Sequence, residues 1–224
     1  MLRVAIDGPG GTGKSTIAKK VADICNLEYV DTGAMYRAIG LKSIEEDIDP
    51  TDEDSVEKML SDTEIDFKDN KIYLDARDVS LLIRTDEISL RASTISKLPK
   101  VREKVNFLSK KIASSTDVVM EGRDIGTSVI PDAEVKIFMT ADTEIRAMRR
   151  YRQFIDAGKS ADYEEIKKDL EKRYLQDSTR AVSPLKQAED SILLDTSSMD
   201  LEENIQAVVD IVCDAKKKYS SSDK

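Results

Sequence analysis

Histidine is absent from this 224-residue chain. That excludes His-based catalytic triads and His-ligated metal sites. Cysteine is scarce: Cys25 and Cys213 lie far apart, each within a helical apolar pattern. They read as small buried hydrophobes, not as a disulfide or a metal site. No apolar run reaches membrane length. The first residues pass directly into a strand carrying Arg3 and Asp7, unlike a signal peptide. There is no internal repeat and no long low-complexity segment. Cations are in deficit, with 35 Lys+Arg against 44 Asp+Glu, a net charge of −9. Such a chain is a poor candidate for sequence-independent binding to a nucleic acid polymer. It can still bind a small anion where cations are focused locally. Two further absences concern motifs. The Asn-Lys-x-Asp base-reading motif and an Asp-x-x-Gly switch after the second strand are both missing, which argues against a GTPase. The chain is also small for a motor or transporter ATPase.

What is present begins at Gly8-Pro9-Gly10-Gly11-Thr12-Gly13-Lys14-Ser15, which fits G-x-x-x-x-G-K-[ST], the phosphate-binding P-loop. Leu2–Asp7 before it is short and apolar, as a buried parallel strand reads. After it, Ile17, Val21 and Ile24 fall at helical spacing. Strand, loop and helix are the context this motif needs. Gly8, Gly10, Gly11 and Gly13 let backbone amides converge on phosphate oxygens, and the helix N-terminus running through Thr16 adds a positive field. Lys14 reaches the β- and γ-phosphates, and the Ser15 hydroxyl is placed to ligate Mg²⁺. The loop thus calls for a nucleotide's phosphates and Mg²⁺.

Further along, Leu27–Val30 predicts a second strand, ending at the turn and helix start Asp31-Thr32-Gly33. Arg37 sits in that helix's first turn. Pro50–Glu53 predicts a capped helix over 54–60. Glu64–Phe67 and Lys71–Leu74 alternate polar and apolar around Lys68-Asp69-Asn70, a β-hairpin that 78–83 extends. Leu90–Ala113 is helical and divided at Pro99. Arg91, Ser93 and Arg102 lie there, as surface residues on their own evidence. Asp117–Glu121 predicts a buried strand, and Gly122–Thr127 a loop carrying Arg123 and Asp124 on the ligand side of the sheet. Val135–Met139 is another strand. The helix over 144–157 holds Arg146, Arg149, Arg150 and Arg152, the densest cationic cluster of the chain, explicable also as pairing with Asp142 and Glu144. A charged helix over 164–175 runs into Arg173–Arg180. Ile192–Asp195 is the last strand, 201–218 the closing helix, and 220–224 a frayed tail.

Five apolar strands alternating with helices predict an α/β fold of the P-loop NTPase type: a five-stranded parallel sheet with helices on both faces. The hairpin inside it marks an inserted subdomain over about 51–95, leaving a core of about 1–50 and 96–224. Arg37, Arg102, Arg123, Arg149, Arg150, Arg173 and Arg180 suit an enzyme that holds two anionic substrates in line for phosphoryl transfer. A nucleoside monophosphate acceptor has a second phosphate pKa near 6 and is already dianionic at neutral pH. It needs no general base, in keeping with the missing histidines.

The chain resembles the bacterial cytidylate kinases over nearly its whole length. The resemblance rests on Ile6–Ser15, Asp31–Arg37, Pro99–Arg102, Glu121–Thr127, Pro131–Ala133 and Arg173–Leu185. Gly-Arg-Asp-Ile-Gly-Thr and Asp-Ser-Thr-Arg-Ala are more specific than the P-loop. The resemblance implies ATP-dependent phosphorylation of CMP and dCMP. It implies that Arg37, Arg123 and Arg180 hold the CMP phosphate, that Ser93, Arg102 and Asp124 read the cytosine edge, and that Arg173 and Asp177 meet the ribose. It further implies a short lid over about 144–160, with Arg149 and Arg150 closing on the ATP phosphates, and a cytoplasmic monomer. Another monophosphate or small-molecule kinase, or a non-catalytic nucleotide-binding regulator, remains the alternative.

Overall fold

The computed structural model describes residues 1–68 and 70–222. Contacts divide it into two compact units, one of Met1–Tyr29 with Thr116–Lys224 and one of Val30–Ser115.

The first unit is built on a parallel sheet. β1 (Arg3–Asp7) lies between β6 (Val118–Glu121) and β7 (Val135–Thr140), parallel to both, and β8 (Ile192–Asp195) continues the sheet beyond β7. With β2 (Glu28–Asp31), the strand that leads out of this unit, the order is β2-β6-β1-β7-β8. β1, β6 and β7 are almost continuously apolar, as strands covered on both sides must be. α1 (Lys14–Cys25) and α8 (Leu201–Ser222) cover one face. Ile17, Val21, Val208 and Val212 interlock there with Val4, Ile6, Ile137 and Met139. α1 starts without a side-chain cap, at Gly13, and ends on Asn26 in the left-handed conformation. α6 (Thr143–Asp156) packs on α7 (Tyr163–Thr179), whose first turn is capped by the Asp162 carboxylate accepting from Glu165 N at 2.9 Å.

The second unit is helical, with a small antiparallel sheet. α2 (Thr32–Glu45) packs against α4 (Asp86–Ile95) and α5 (Pro99–Ala113). Gly40 permits the α2–α4 approach, because a Cβ there would lie 3.1 Å from Ala92 N. Asp52 caps α3 (Glu53–Ser61), and Pro99 occupies the first turn of α5, as its fixed φ favours. β3 (Ile65–Lys68), β4 (Lys71–Leu74) and β5 (Arg77–Asp78) form the antiparallel sheet. Asp69, within the hairpin turn, lies outside the described residues.

Two local expectations are corrected. The strand over 78–83 stops at Asp78. The Asp78 carboxylate turns the chain by accepting from Ser80 N at 3.0 Å, and Leu82–Arg84 is a 3₁₀ turn that buries Val79 and Ile83. The tail from Ser220 is helical through Ser222, since serine does not break a helix already propagating; 223–224 lie outside the described residues. The cysteines are free thiols, yet the fold brings them together across the α1–α8 seam. Burial, with Cys213 alongside, pushes the Cys25 thiol up to about 11.

Burial separates costly from cheap substitutions. Ile17→Ala, at a side chain 1% exposed, is expected to destabilise by about 2–5 kcal/mol in urea unfolding. Leu81→Ala, at 87% exposure, is expected to stay within about 0.5 kcal/mol of wild type.

Candidate active site

The phosphate loop leaves β1 at Gly8, whose φ is 142°. A Cβ there would stand 2.0 Å from the Met139 carbonyl oxygen of β7, so only glycine fits. Gly11 and Gly13 also take positive φ, and the loop closes on the first turn of α1. There Lys14 is buried, its Nζ donating to the Pro9 carbonyl at 2.6 Å and to Thr12 Oγ1 at 3.3 Å. Burial first, and then the charge of Arg123, lower the Lys14 amine to about 7. Ser15 and Thr16 are exposed at the helix start.

α6 braces this loop. Arg146, nearly fully buried, donates through Nη1 to the Gly10 carbonyl at 3.1 Å, through Nε to Ala141 O at 3.0 Å and through Nη2 to Thr143 Oγ1 at 2.8 Å. Arg149 donates to Thr196 O at 2.6 Å and Thr196 Oγ1 at 3.0 Å, and reaches Thr12 O at 3.5 Å. Arg150 points elsewhere, its guanidinium 4.7 Å from the centre of the Phe154 ring. The three arginines look alike in sequence, but one helical turn divides them among three surroundings.

A second cluster gathers where β6 ends. Arg123 donates through Nε to Asp177 Oδ2 at 3.1 Å. Arg180 donates through Nη2 to Asp124 Oδ1 at 3.0 Å and through Nε to Ser183 O at 2.7 Å, with Asp177 Oδ1 at 3.7 Å from Nη1. Asp177 is on the last turns of α7, and burial lowers the Arg173 pKa on the same helix. Residues 122–129 are not a plain loop, because Ile125–Val129 form a π-helical turn. Its first two amides meet Asp7, whose carboxylate accepts from Ile125 N at 2.8 Å and Gly126 N at 2.7 Å. Burial nevertheless pushes the Asp7 carboxyl up to about 6. The first unit therefore holds Gly8–Thr16, Arg123, Asp124, Arg149, Arg150, Arg173, Asp177 and Arg180.

The second unit holds the remaining candidates. Asp31 caps α2 by accepting from Ala34 N at 2.9 Å, and its other oxygen accepts from Arg37 at 2.7 Å and Arg84 at 3.2 Å. Burial by itself would raise the Asp31 carboxyl, but the two guanidiniums hold it below the ordinary carboxylate range. Arg37 Nε is buried and without a hydrogen-bond partner among the described residues. Arg102, 2% exposed, donates to Ser96 O at 3.3 Å and lies 5.6 Å from the centre of the Tyr36 ring. Ser93 is half-buried on α4.

The sequence marks Asp31 as a helix start, which its cap of α2 bears out, but it assigns no role in the site to Asp7, Asp31 or Arg146. For Asp7 and Asp31 the available signal was a carboxylate ending an apolar strand, whereas nothing along the chain separates Arg146 from the arginines beside it.

Residues 4–214 match the family model described as cytidylate kinase. The chain belongs to the cytidylate kinase family. It is 43% identical over 215 residues to the cytidylate kinase of Carboxydothermus hydrogenoformans, covering 94% of this chain and 97% of that one. It is 44% identical over 211 residues to that of Caldanaerobacter subterraneus, covering 94% of each. Among solved structures it is similar in fold to an uncharacterised protein of Eubacterium ventriosum, with a TM-score of 0.53 and 15% identity over 95% of this chain and 98% of the other. A gluconokinase of Sinorhizobium meliloti is similar at a TM-score of 0.51 and 13% identity, covering 99% of this chain and 97% of its own.

The burial of Lys14 has an electrostatic consequence that can be measured without nucleotide. Lys14 is expected to be protonated below about pH 7 and neutral above it, far under the ordinary lysine range. The Nζ and Cε resonances of Lys14, followed by NMR against pH and identified by their loss in Lys14→Met, check this. A midpoint near 10 would count against the burial described.

Proposed function

We propose that the protein catalyses ATP-dependent phosphorylation of CMP, and of dCMP, to the diphosphate. The observation that carries this reading is the 43% identity to a cytidylate kinase along 94% of the chain. The site chemistry supports it. Gly8–Thr16 cradle the ATP phosphates with backbone amides, and Lys14 neutralises charge that develops on the transferring group.

Mg²⁺ suits the donor set. The Ser15 hydroxyl is exposed beside Lys14, and no cluster of three or more His, Cys, Asp or Glu suited to a metal occurs among the described residues. Such a site takes an ion that keeps phosphate and water as its main ligands. Bound there, the ion would neutralise phosphate charge and help align donor and acceptor.

In the first unit, Arg123 and Arg180 meet the CMP phosphate, Asp124 the cytosine amino group, and Arg173 and Asp177 the ribose. In the second, Arg37 meets the phosphate, and Ser93 and Arg102 meet the base. Arg37 Nε, without a hydrogen-bond partner among the described residues, is a donor that an anion satisfies. The acceptor phosphate is already dianionic, so no side chain has to remove a proton. Arg149 and Arg150 act on the ATP phosphates, and the segment over about 144–160 closes on them and excludes water. The inserted monophosphate-binding part spans about 51–95. The same reading makes the enzyme a cytoplasmic monomer acting on small molecules, not on nucleic acid or membranes. No helix among the described residues is long and apolar enough to cross a membrane.

A coupled ADP-release assay over a panel of monophosphates tests the activity. CMP and dCMP are expected to be phosphorylated well ahead of UMP and AMP, and equal turnover of UMP would sink the assignment.

Base choice tests the residues. Cytosine offers an amino donor at N4 and an acceptor at N3, where uracil offers an oxygen and an N–H. A carboxylate at Asp124 and a guanidinium at Arg102 therefore favour cytosine and oppose uracil. Asp124→Ala and Arg102→Met are each expected to lower kcat/KM for CMP by on the order of 10²-fold, and far less for UMP. Asp124→Asn keeps an oxygen for Arg180 and separates base reading from support of that arginine. Asp177→Ala is expected to lower kcat/KM for both and leave the CMP/UMP ratio nearly unchanged. A wild-type ratio in the Asp124 and Arg102 variants would place base recognition elsewhere.

A further inference from the structure

Asp7 ends the central strand β1, 5% exposed, where an ionisable carboxyl is costly to bury. Each of its oxygens has its own donor: Oδ1 accepts from Ile125 N at 2.8 Å and Oδ2 from Gly126 N at 2.7 Å. Two adjacent amides aimed at one planar carboxylate fix the orientation of both peptide planes. Those amides open the π-helical turn Ile125–Val129. Immediately before it stand Asp124, at φ −147° and ψ 29°, and Arg123. Asp124 holds Arg180, and Arg123 holds Asp177. On its other side Asp7 is bonded to Gly8, which is locked against the Met139 carbonyl oxygen. One carboxylate thus ties the start of the phosphate loop to the segment carrying Arg123 and Asp124. Gly126 suits the approach, since a Cβ there would meet Asp7 Oδ2 at 3.4 Å and the Lys136 side chain at 3.3 Å.

We propose that Asp7 is a positioning residue for monophosphate recognition, acting through the Ile125 and Gly126 amides to set the direction of Arg123 and Asp124. It touches neither substrate nor the reacting atoms. The proposal rests on the roles given above to Arg123 and Asp124. A carboxylate is required because both neighbours are donors. Asparagine has the same shape, but its amide group would set a donor against one of the two N–H groups, and alanine removes both acceptors.

The test compares wild type, Asp7→Asn and Asp7→Ala, with two readouts. In steady-state kinetics, Asp7→Asn is expected to raise KM for CMP about tenfold and Asp7→Ala further, from donors left without acceptors. KM for ATP should stay within about threefold, because the loop amides and Lys14 keep their own anchors. If KM for CMP is unchanged, or KM for CMP and ATP rise together in step with a fall in Tm, Asp7 is only structural and the proposal is overturned.

The second readout is hydrogen exchange at the Ile125 and Gly126 amides, which needs no substrate. In wild type both should exchange as slowly as the amides of β1 and β6, and Asp7→Asn should release at least one of them. Fast exchange of both in wild type would overturn the proposal even if neither variant folds, and slow exchange in both would support it. If wild type does not phosphorylate CMP, the functional reading has failed, and the exchange data still decide whether Asp7 anchors the turn.

Discussion

Cations that await polyanions have to be held in place inside an acidic protein, and the architecture of the site follows from how that is done. The answer is local carboxylates. Asp124 and Asp177 hold Arg180 and Arg123, and Asp31 holds Arg37. Each of these arginines is at least partly withdrawn from water, where an isolated charge is costly. A neighbouring carboxylate lowers that cost and fixes the direction of the guanidinium plane. It also leaves other donors of the fork for a ligand, as at Arg37 Nε, which has no hydrogen-bond partner among the described residues. Not every cation is held this way: Lys14 and Arg149 donate to backbone and hydroxyl oxygens, and burial lowers the Lys14 amine.

The parallel sheet makes these arrangements possible by delivering loops to one edge. β1 sits between β6 and β7, so the loop after β1 and the segment after β6 emerge side by side. The approach of Gly8 to Met139 fixes the first, and the Asp7 carboxylate fixes the second to it. Apolar interlock of α1 and α8 on this sheet supplies the stability from which the irregular backbone is held. Positive φ at Gly8, Gly11 and Gly13 and the π-helical turn at Ile125–Val129 mark where regular structure yields to ligand geometry.

Much of this is legible in the sequence. The P-loop reads directly, because its glycines meet a steric demand of the backbone itself. The strands of the sheet and the helices after them follow from apolar periodicity, which each segment carries on its own. Pro99 announces the start of α5, and Asp52 that of α3, through capping rules that act over three or four residues. Short features fared worse. The segment after Asp78 has a strand's composition, but one Asx turn redirects it. Ser220–Ser222 look like a tail by composition, yet they complete a helix already propagating.

The long helices, the strands of the parallel sheet, the phosphate-binding loop and the family are all read along the chain, since they rest on local spacing and on motifs. Tertiary structure decided which charge meets which. Asp7 and Ile125 are 118 residues apart, and Arg149 and Thr196 are 47 apart. Arg146, Arg149 and Arg150 share one helix and one composition, yet one braces the Gly10 carbonyl, one binds Thr196 and one lies over Phe154. Cys25 and Cys213 meet only because α1 and α8 pack side by side. Periodicity identifies the face of a helix that is buried, but not its partner. Partners follow from strand order and loop closure, which bring distant positions together only once the whole sheet has formed.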